Sequence, residues 1–504
     1  MYIQSAELNN FKGFSTTNNK LQFNIPNGVA GSGLNIFIGE NNCGKSTFFE
    51  AISFIRDGSK KESASLINKN TTDDEFYVEL IFCGNLNDVI DNYSDPKKIL
   101  SFKKHINGDG TLKVRRTGSK LTDPESLKKV KAIGLWDEST AEFANPSGID
   151  APFKALYDNN FIWADTNAED EAKFGASTLC GSLLKEIAQG HTESEEYKRF
   201  SSEFHKIFND PSSQLRTTLS TIENQVNEYI AQQFGSANIK FSFDELSVDN
   251  FFKSTKILID DGVEVAMAEK GHGLQRAVAL ALLRVYAEIV SRKDQKNLEK
   301  PFFLFIDEPE ICLHPIAQAK LLDAIIEISK TKQVFISTHS PFFFKSRHIN
   351  NFGIFVFNKD NKNNKAQKIS INGIFNKSPT FGEIAFNAYN LATEDFHDEL
   401  YGHLQSITEN NKENQIDEFL YQQGSPRNKL WTRQESDGSA GQSANKTIQV
   451  FIRNKIHHPE NQYMQHSDYS PSELRSSIEK MIEIINAIQL QQQPATLVGT
   501  ETFV

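Results

Sequence analysis

Cysteine is scarce in this chain and nowhere clustered. The 504 residues include only 4 cysteines, Cys43, Cys83, Cys180 and Cys312, with no Cys-x-x-Cys spacing. That scatter argues for reduced thiols in the cytosol and against a zinc site. No apolar run reaches the roughly 18 residues of a membrane-spanning helix, so no membrane contact is expected. The first residues lack the charged-then-apolar order of a secretory signal. Positive charge is short as well: 54 Lys and Arg stand against 65 Asp and Glu, a net charge of −11. Binding to a nucleic-acid backbone is therefore not written into the composition, and any such contact must be a local patch. Lys113, Arg115, Arg116 and Lys120, with Lys128, Lys129 and Lys131, form one candidate; a solvated face is the plainer reading. The length allows about three domains with proper cores.

What the chain does have is concentrated in a few motifs. Gly39-Glu-Asn41-Asn42-Cys-Gly44-Lys45-Ser46 fits G-x-x-x-x-G-K-[ST] without a mismatch. It follows a strand-like run (Leu34, Ile36, Phe37, Ile38) and leads through Thr47 into a helical pattern ending near Ile55. Strand, loop and helix in that order are what a phosphate-binding loop requires. Its glycines let backbone N–H groups wrap a polyphosphate at the positive end of the helix. Lys45 then reaches the β- and γ-phosphates of ATP, and Ser46 holds Mg²⁺.

Far downstream, Phe302-Phe-Leu-Phe-Ile306 reads as a buried parallel strand and ends in Asp307-Glu308. An acid at such a strand end suits the Mg²⁺ ligand of a phosphate-loop ATPase, which gives Asp307 that role. Glu308 is placed to orient or polarise the attacking water. A second short strand, Gln333-Val-Phe-Ile-Ser, ends in Thr338-His339-Ser340, and His339 is a candidate γ-phosphate contact.

These residues carry a resemblance. Leu8-Asn-Asn-Phe11-Lys-Gly13-Phe14 resembles the opening strand and turn of the RecF/SMC/OLD branch of ABC-type ATPases. Asp307-Glu-Pro-Glu310 with Leu313-His314-Pro315, then Ser337-Thr-His339-Ser-Pro341, resemble that branch's Walker B, D-loop and switch-histidine motifs. Lys270-Gly271-His-Gly273-Leu-Gln275-Arg276, before a helix expected over Ala277–Val290, resembles the ABC signature with departures from its usual wording. The resemblance implies an α/β ATPase head, ATP and Mg²⁺ as cofactors, and a homodimer in which one signature closes on the other copy's ATP. Higher oligomers stay open.

The resulting domain expectation is an N-terminal ATPase lobe at 1–120, a helical insertion at 121–235 and the second ATPase half at 236–380. An all-α bundle at 381–489 and a flexible tail at 490–504 follow. In the insertion, Leu215, Leu219, Ile222, Val226 and Tyr229 repeat at alternating steps of four and three, as core packing of one helix or a dimer-forming lever would. Strands Ile239–Asp244 and Lys256–Asp260 are expected after it, and Ile354–Phe357 and Lys368–Ile371 after the switch histidine. Polar stretches at 406–416 and 434–446 read as loops.

OLD-type nucleases carry a metal-binding Toprim domain at the C-terminal side, yet no D-x-D motif follows residue 381. Arg453-Asn454-Lys-Ile-His457-His458-Pro459, followed by an amphipathic pattern over 473–489, resembles instead the HEPN domain. In that family an Arg and a His cut RNA without metal across a dimer. A His can accept the 2′-hydroxyl proton near neutral pH. An Arg can hold the scissile phosphate bidentately. Arg453 and His458 are the candidate pair, on loosely one helical face; a helix-end pair that caps carbonyls is the plain alternative.

Three functions follow. One is an ATPase of anti-phage defence gating its own C-terminal ribonuclease. Another is a PtuA-like ATPase of a Septu-type system, assembling with a separate HNH nuclease. The last is a RecF-like DNA-repair ATPase. All imply contact with RNA or DNA, and the second implies a nuclease partner protein.

Overall fold

The computed structural model describes residues 1–16, 19–58, 65–121, 133–162, 194–234, 240–241, 257–271, 274–275, 278, 281–282, 300–311, 313–344, 346–360, 362–369, 374–375 and 379–492. The chain divides into two compact units, Met1–Leu156 with Ser337–Val504, and Tyr157–Ile336.

The first unit begins with strands β1 (Tyr2–Asn9), β2 (Lys20–Gln22) and β3 (Leu34–Gly39), then helix α1 (Lys45–Asp57). β4 (Glu75–Cys83), α2 (Leu86–Tyr93), α3 (Ile99–Lys103), β5 (Leu112–Ser119), β6 (Ile133–Asp137), β7 (Glu142–Ala144) and α4 (Asp150–Ala155) follow. An antiparallel sheet takes the order β2-β1-β4-β5-β6-β7. In β4 the alternate residues Phe76, Val78, Leu80 and Phe82 are buried, the period of two that one covered face imposes. β3 differs: all six of its residues are buried, as a strand covered on both faces must be.

Of the candidate basic patch, Lys113, Arg115 and Arg116 lie on β5 and Lys120 directly after it, and each has a carboxylate partner. Lys113 and Arg115 both pair with Glu79, at 3.0 and 2.7 Å. Arg116 is buried and pairs with Asp150 at 2.7 Å, and Lys120 meets Asp74 at 2.8 Å. Lys128, Lys129 and Lys131 lie outside the described residues.

The second unit holds β8 (Asp158–Ile162), α5 (Glu195–Phe208), α6 (Gln214–Phe234), β9 (Leu258–Asp260), β10 (Glu264–Ala266), β11 (Phe302–Asp307), α7 (Pro315–Ile328) and β12 (Gln333–Ser337). β12, β11 and β8 are neighbours in that order, β11 and β8 in parallel. Phe161, Phe305 and Phe335 stack across the three strands at 4.6 and 4.8 Å between ring centroids.

On α6 the apolar stripe is partly exposed, with Leu219 and Val226 half-buried. Leu215 and Ile222 are exposed, and the buried side carries Arg216 and Glu223 instead. Seven residues apart, these two share a helix face and form a two-pronged pair at 2.9 and 2.8 Å. The strand expected from Ile239 lies almost wholly outside the described residues, and the one expected from Lys256 is the shorter β9.

The first unit resumes with β13 (Gly353–Asp360) and β14 (Asn363–Lys368), then α8 (Phe381–Tyr389), α9 (Glu394–Thr408) and α10 (Glu413–Gln422). β15 (Arg427–Gln434), β16 (Ala440–Thr447), α11 (Ile448–His457) and α12 (Pro471–Gln492) complete it. β13 runs parallel to β3, with Phe357 opposite Gly39, and antiparallel to β14. β14 starts and ends earlier than the strand expected at Lys368–Ile371, because its pairing with β13 begins at Asp360 and Asn363.

α9 to α12 enclose a core of their own, including Leu400, Leu404, Ile416, Leu420, Ile452 and Ile478. The C-terminal region is helical, with one correction: the stretch at 434–446, expected as a loop, belongs to an antiparallel hairpin of β15 and β16. Asp437-Gly438 makes its turn, with Gly438 at φ +85°. The loop expected at 406–416 shrinks to the four residues between α9 and α10.

Candidate functional site

Both units carry residues singled out in the sequence. In the first unit, Gly39-Glu-Asn-Asn-Cys-Gly44 joins β3 to α1. Gly39 has φ +147°, and an added Cβ would lie 2.0 Å from the Phe357 carbonyl oxygen. Gly44 has φ +100° and faces the Asn364 amide and the Phe14 ring. Gly13, from the opening motif, meets the same Asn364 amide, so two separate motifs converge on one side chain. Phe14, Phe37, Phe48 and Phe357 pack around them, with Phe37 and Phe357 centroids 4.9 Å apart.

α1 has Gly44 as its N-cap, no side-chain cap and no acid in its first turn. A helix start left so open presents its N–H groups to an anion. Lys45 is buried and its Nζ donates to the carbonyls of Gly39 at 3.1 Å and Glu40 at 2.9 Å, across the mouth of the loop. Asn42 takes positive φ, 62°. Asn41, Ser46 and Thr47 stand at the loop rim and in the first turn of the helix. These residues fit a nucleoside triphosphate, and Ser46 offers a hydroxyl of the kind Mg²⁺ takes as a ligand.

The switch-histidine segment belongs to the same unit. Thr338 N–H donates to the Phe37 carbonyl at 3.0 Å, which ties the turn to β3 two residues before Gly39. Ser340 N–H donates to Thr338 Oγ1 at 3.0 Å. His339 follows at half-burial, its ring centroid 6.1 Å from that of Tyr389.

In the second unit, Asp307 closes β11 and is 5% exposed. Glu308 takes left-handed backbone, φ 47°, a conformation that costs a non-glycine residue energy and recurs at functional sites. Its carbonyl accepts from Ile311 N–H at 3.1 Å. Leu313 and His314 lead into α7, where Pro315 sits at the helix start and His314 Nδ1 accepts from Ile316 N–H. Gly271 carbonyl accepts from Leu274 and Gln275 N–H, at 3.0 and 3.2 Å. Gln275 is buried and donates to the Lys270 carbonyl at 2.6 Å. Gly273 and most of the helix expected over Ala277–Val290 lie outside the described residues.

On α11 the structure regroups the expected pair. A step of five residues turns a helix by roughly 140°, a step of four by only about 40°. Arg453 lies with its guanidinium 5.9 Å from the Tyr401 ring of α9. Burial pushes the Tyr401 phenol above its ordinary value, so the ring stays neutral there. The residue beside Arg453 is His457, whose Nε2 lies 2.7 Å from Asp398 Oδ1, also on α9. His458 turns away, caps α11 and faces Trp431 and Glu460. There it lines a cavity of about 740 Å³ between the hairpin and α10. The shared face thus holds Arg453 and His457, not Arg453 and His458. The i, i+4 spacing carried that signal; Asp398 had none in the sequence.

The sequence profile of the AAA ATPase domain family matches residues 1–344. The chain belongs to the AAA ATPase domain family. Among curated relatives of this ATPase, the Old nuclease of Escherichia phage P2 is 29% identical over 331 residues, 62% of this chain and 54% of its own length. Endonuclease GajA of Bacillus cereus strain VD045 is 22% identical over 351 residues, 68% of this chain and 56% of its own length. The ATPase chain therefore spans about half the length of the curated relatives it matches. Among solved structures, an SMC head bound to the winged-helix domain of ScpA gives 17% identity and a TM-score of 0.45 over 74% of this chain and 98% of that one. The SMC head domain from Thermotoga maritima gives 14% and 0.35 over 74% of this chain and 100% of that one. No helix among the described residues is long and apolar enough to cross a membrane.

Proposed function

We propose that this AAA ATPase is a nucleotide-driven switch of phage defence that controls an RNA-cutting C-terminal bundle. ATP with Mg²⁺ would supply the free energy of the switch. Lys45 and the N–H groups of the Gly39–Gly44 loop would hold the phosphates and Ser46 and Asp307 the metal; Glu308 would polarise water, and His339 would contact the terminal phosphate. Gly271, Gly273 and Gln275 serve the nucleotide of a second copy.

The observation that carries the ribonuclease reading is the shared face of Arg453 and His457 in a helical C-terminal module. The Asp398 carboxylate accepts the His457 Nε2–H, which fixes the tautomer and leaves Nδ1 as the base. Nδ1 takes the 2′-hydroxyl proton as the 2′-oxygen attacks the adjacent phosphorus. The bond to the 5′-oxygen breaks, and that oxygen takes up a proton from solvent. Arg453 neutralises the charge that gathers on the phosphate oxygens.

A second reading is favoured by charge. Residues 381–504 hold 9 Lys and Arg against 17 Asp and Glu, an unfavourable balance for RNA. In that reading the bundle docks a separate nuclease protein. Incubating total cellular RNA with purified protein separates the two, with Arg453→Ala, His457→Ala and His458→Ala as controls. Cleavage lost in the first two variants supports the ribonuclease; intact RNA throughout supports the docking module.

A further inference from the structure

α8 joins the switch-histidine turn to the C-terminal bundle. Tyr389, its last residue, donates its hydroxyl to the Thr338 carbonyl at 3.1 Å. That carbonyl belongs to the peptide unit that carries His339 N–H, so holding it fixes the plane from which His339 projects. Thr338 is fully buried, and its own N–H is spent on Phe37. Thr338 is therefore tied through its N–H to the strand that leads into the phosphate loop, and through its carbonyl, on the next peptide unit, to α8.

The rest of α8 is bolted to the bundle. Its start is a capping box of Thr380 and Glu383, and Thr380 Oγ1 also donates to Glu399 Oε2 of α9 at 2.7 Å. Gly382 packs so closely on α9 that an added Cβ would lie 2.6 Å from the Phe396 ring. At its other end, the Asn390 carbonyl accepts from Arg475 of α12, whose guanidinium lies 5.1 Å from the Phe386 ring. α9 in turn carries Asp398 and Tyr401, the partners of His457 and Arg453.

We propose that the Tyr389 hydroxyl is a positioning residue of the ATPase, which sets His339 through the Thr338 carbonyl and passes the nucleotide state along α8 to α9. This rests on the reading of His339 as a phosphate contact and of the bundle as the effector. A displacement of the 338–339 peptide on phosphate binding pulls on Tyr389. α8 then moves as one piece, because both its ends are fastened to the bundle. Linkage makes the coupling reciprocal: whatever binds the Arg453 face changes affinity for ATP by the same factor.

The test is hydrogen–deuterium exchange of the full chain with and without Mg²⁺-ATP, beside steady-state ATP hydrolysis, for the parent and Tyr389→Phe. This substitution keeps the ring and the helix and removes one hydroxyl. In the parent, ATP changes exchange in α8 and α9 by about fivefold or more. In Tyr389→Phe, kcat falls by about fivefold or more at unchanged KM and melting temperature, and the exchange response in α8 and α9 disappears. A parent without any response in α8 and α9, or a Tyr389→Phe protein with parental kcat and response, overturns the proposal. So does a loss of kcat that tracks a fall in melting temperature. RNA assayed on the same samples keeps the two readings apart. Intact RNA with coupled exchange refutes the ribonuclease and leaves the linkage; cleavage with unresponsive exchange does the reverse.

Discussion

Gly39 shows how narrowly single residues set the phosphate loop. A methyl there meets a backbone oxygen of β13, which cannot swing aside as a side chain could, in a φ region that favours glycine. Gly39→Ala should therefore lose nucleotide binding while melting near or below the parent, which equilibrium binding of a fluorescent ATP analogue and a thermal scan would report. Another residue-scale prediction concerns His397. Its ring is fully buried, with Nε2 on Ser477 Oγ at 2.9 Å, and burial lowers its pKa from 6.5 to about 3 against a smaller opposing effect of Asp398. The unfolded chain takes up a proton below pH 6.5 and the folded one does not. Stability from this group is thus complete above pH 6.5 and falls as pH drops toward about 3, by about 1.4 kcal/mol per pH unit. His397→Gln should flatten that slope in urea unfolding between pH 7 and 5. The phosphate loop was legible because its chemistry is local: eight consecutive residues state it. His457 and Asp398 were not, since a pairing between two helices 59 positions apart leaves no trace in either segment.

Elements differ in how much of themselves they write into the sequence. β3, β11 and β12 are continuous apolar runs and declare themselves. α12 does too, burying Leu474, Ile478, Met481 and Ile485 on one face. Ile478 is fully buried in the C-terminal core, so Ile478→Ala should cost about 2–5 kcal/mol in denaturant unfolding of that module. ATP binding to the first-unit loop should survive it. β15 and β16 were hidden because the hairpin covers its core with little more than Trp431, while Leu430 stays exposed and the second strand is mostly polar. Its backbone pairing, not its side chains, makes it a hairpin, and only the Asp437-Gly438 turn signalled it. The stripe on α6, open to core packing or to a dimer-forming lever, leaves Leu215 and Ile222 exposed. Apolar periodicity names a face, but the buried face of that helix carries a charged pair.

At the scale of the whole molecule, the ATPase domain matched over residues 1–344 precedes the helical module proposed as effector in the last 124 positions. If ATP closes two copies upon each other, removing the water-polarising carboxylate should hold them closed. Glu308→Gln with Mg²⁺-ATP should then elute as a dimer in light-scattering chromatography, and Lys45→Ala should stay at the mass of its nucleotide-free form. Hydrolysis at the parental rate by Glu308→Gln would contradict that role.

The most direct test of the central claim is RNA cleavage by the purified full-length protein. Total cellular RNA is added after ATP preincubation, with EDTA present during the cleavage step and Arg453→Ala and His457→Ala as controls. The parent is expected to give defined fragments that persist in EDTA and vanish in both variants. Fragments made equally well by those variants, or RNA left intact in every nucleotide state, would contradict it.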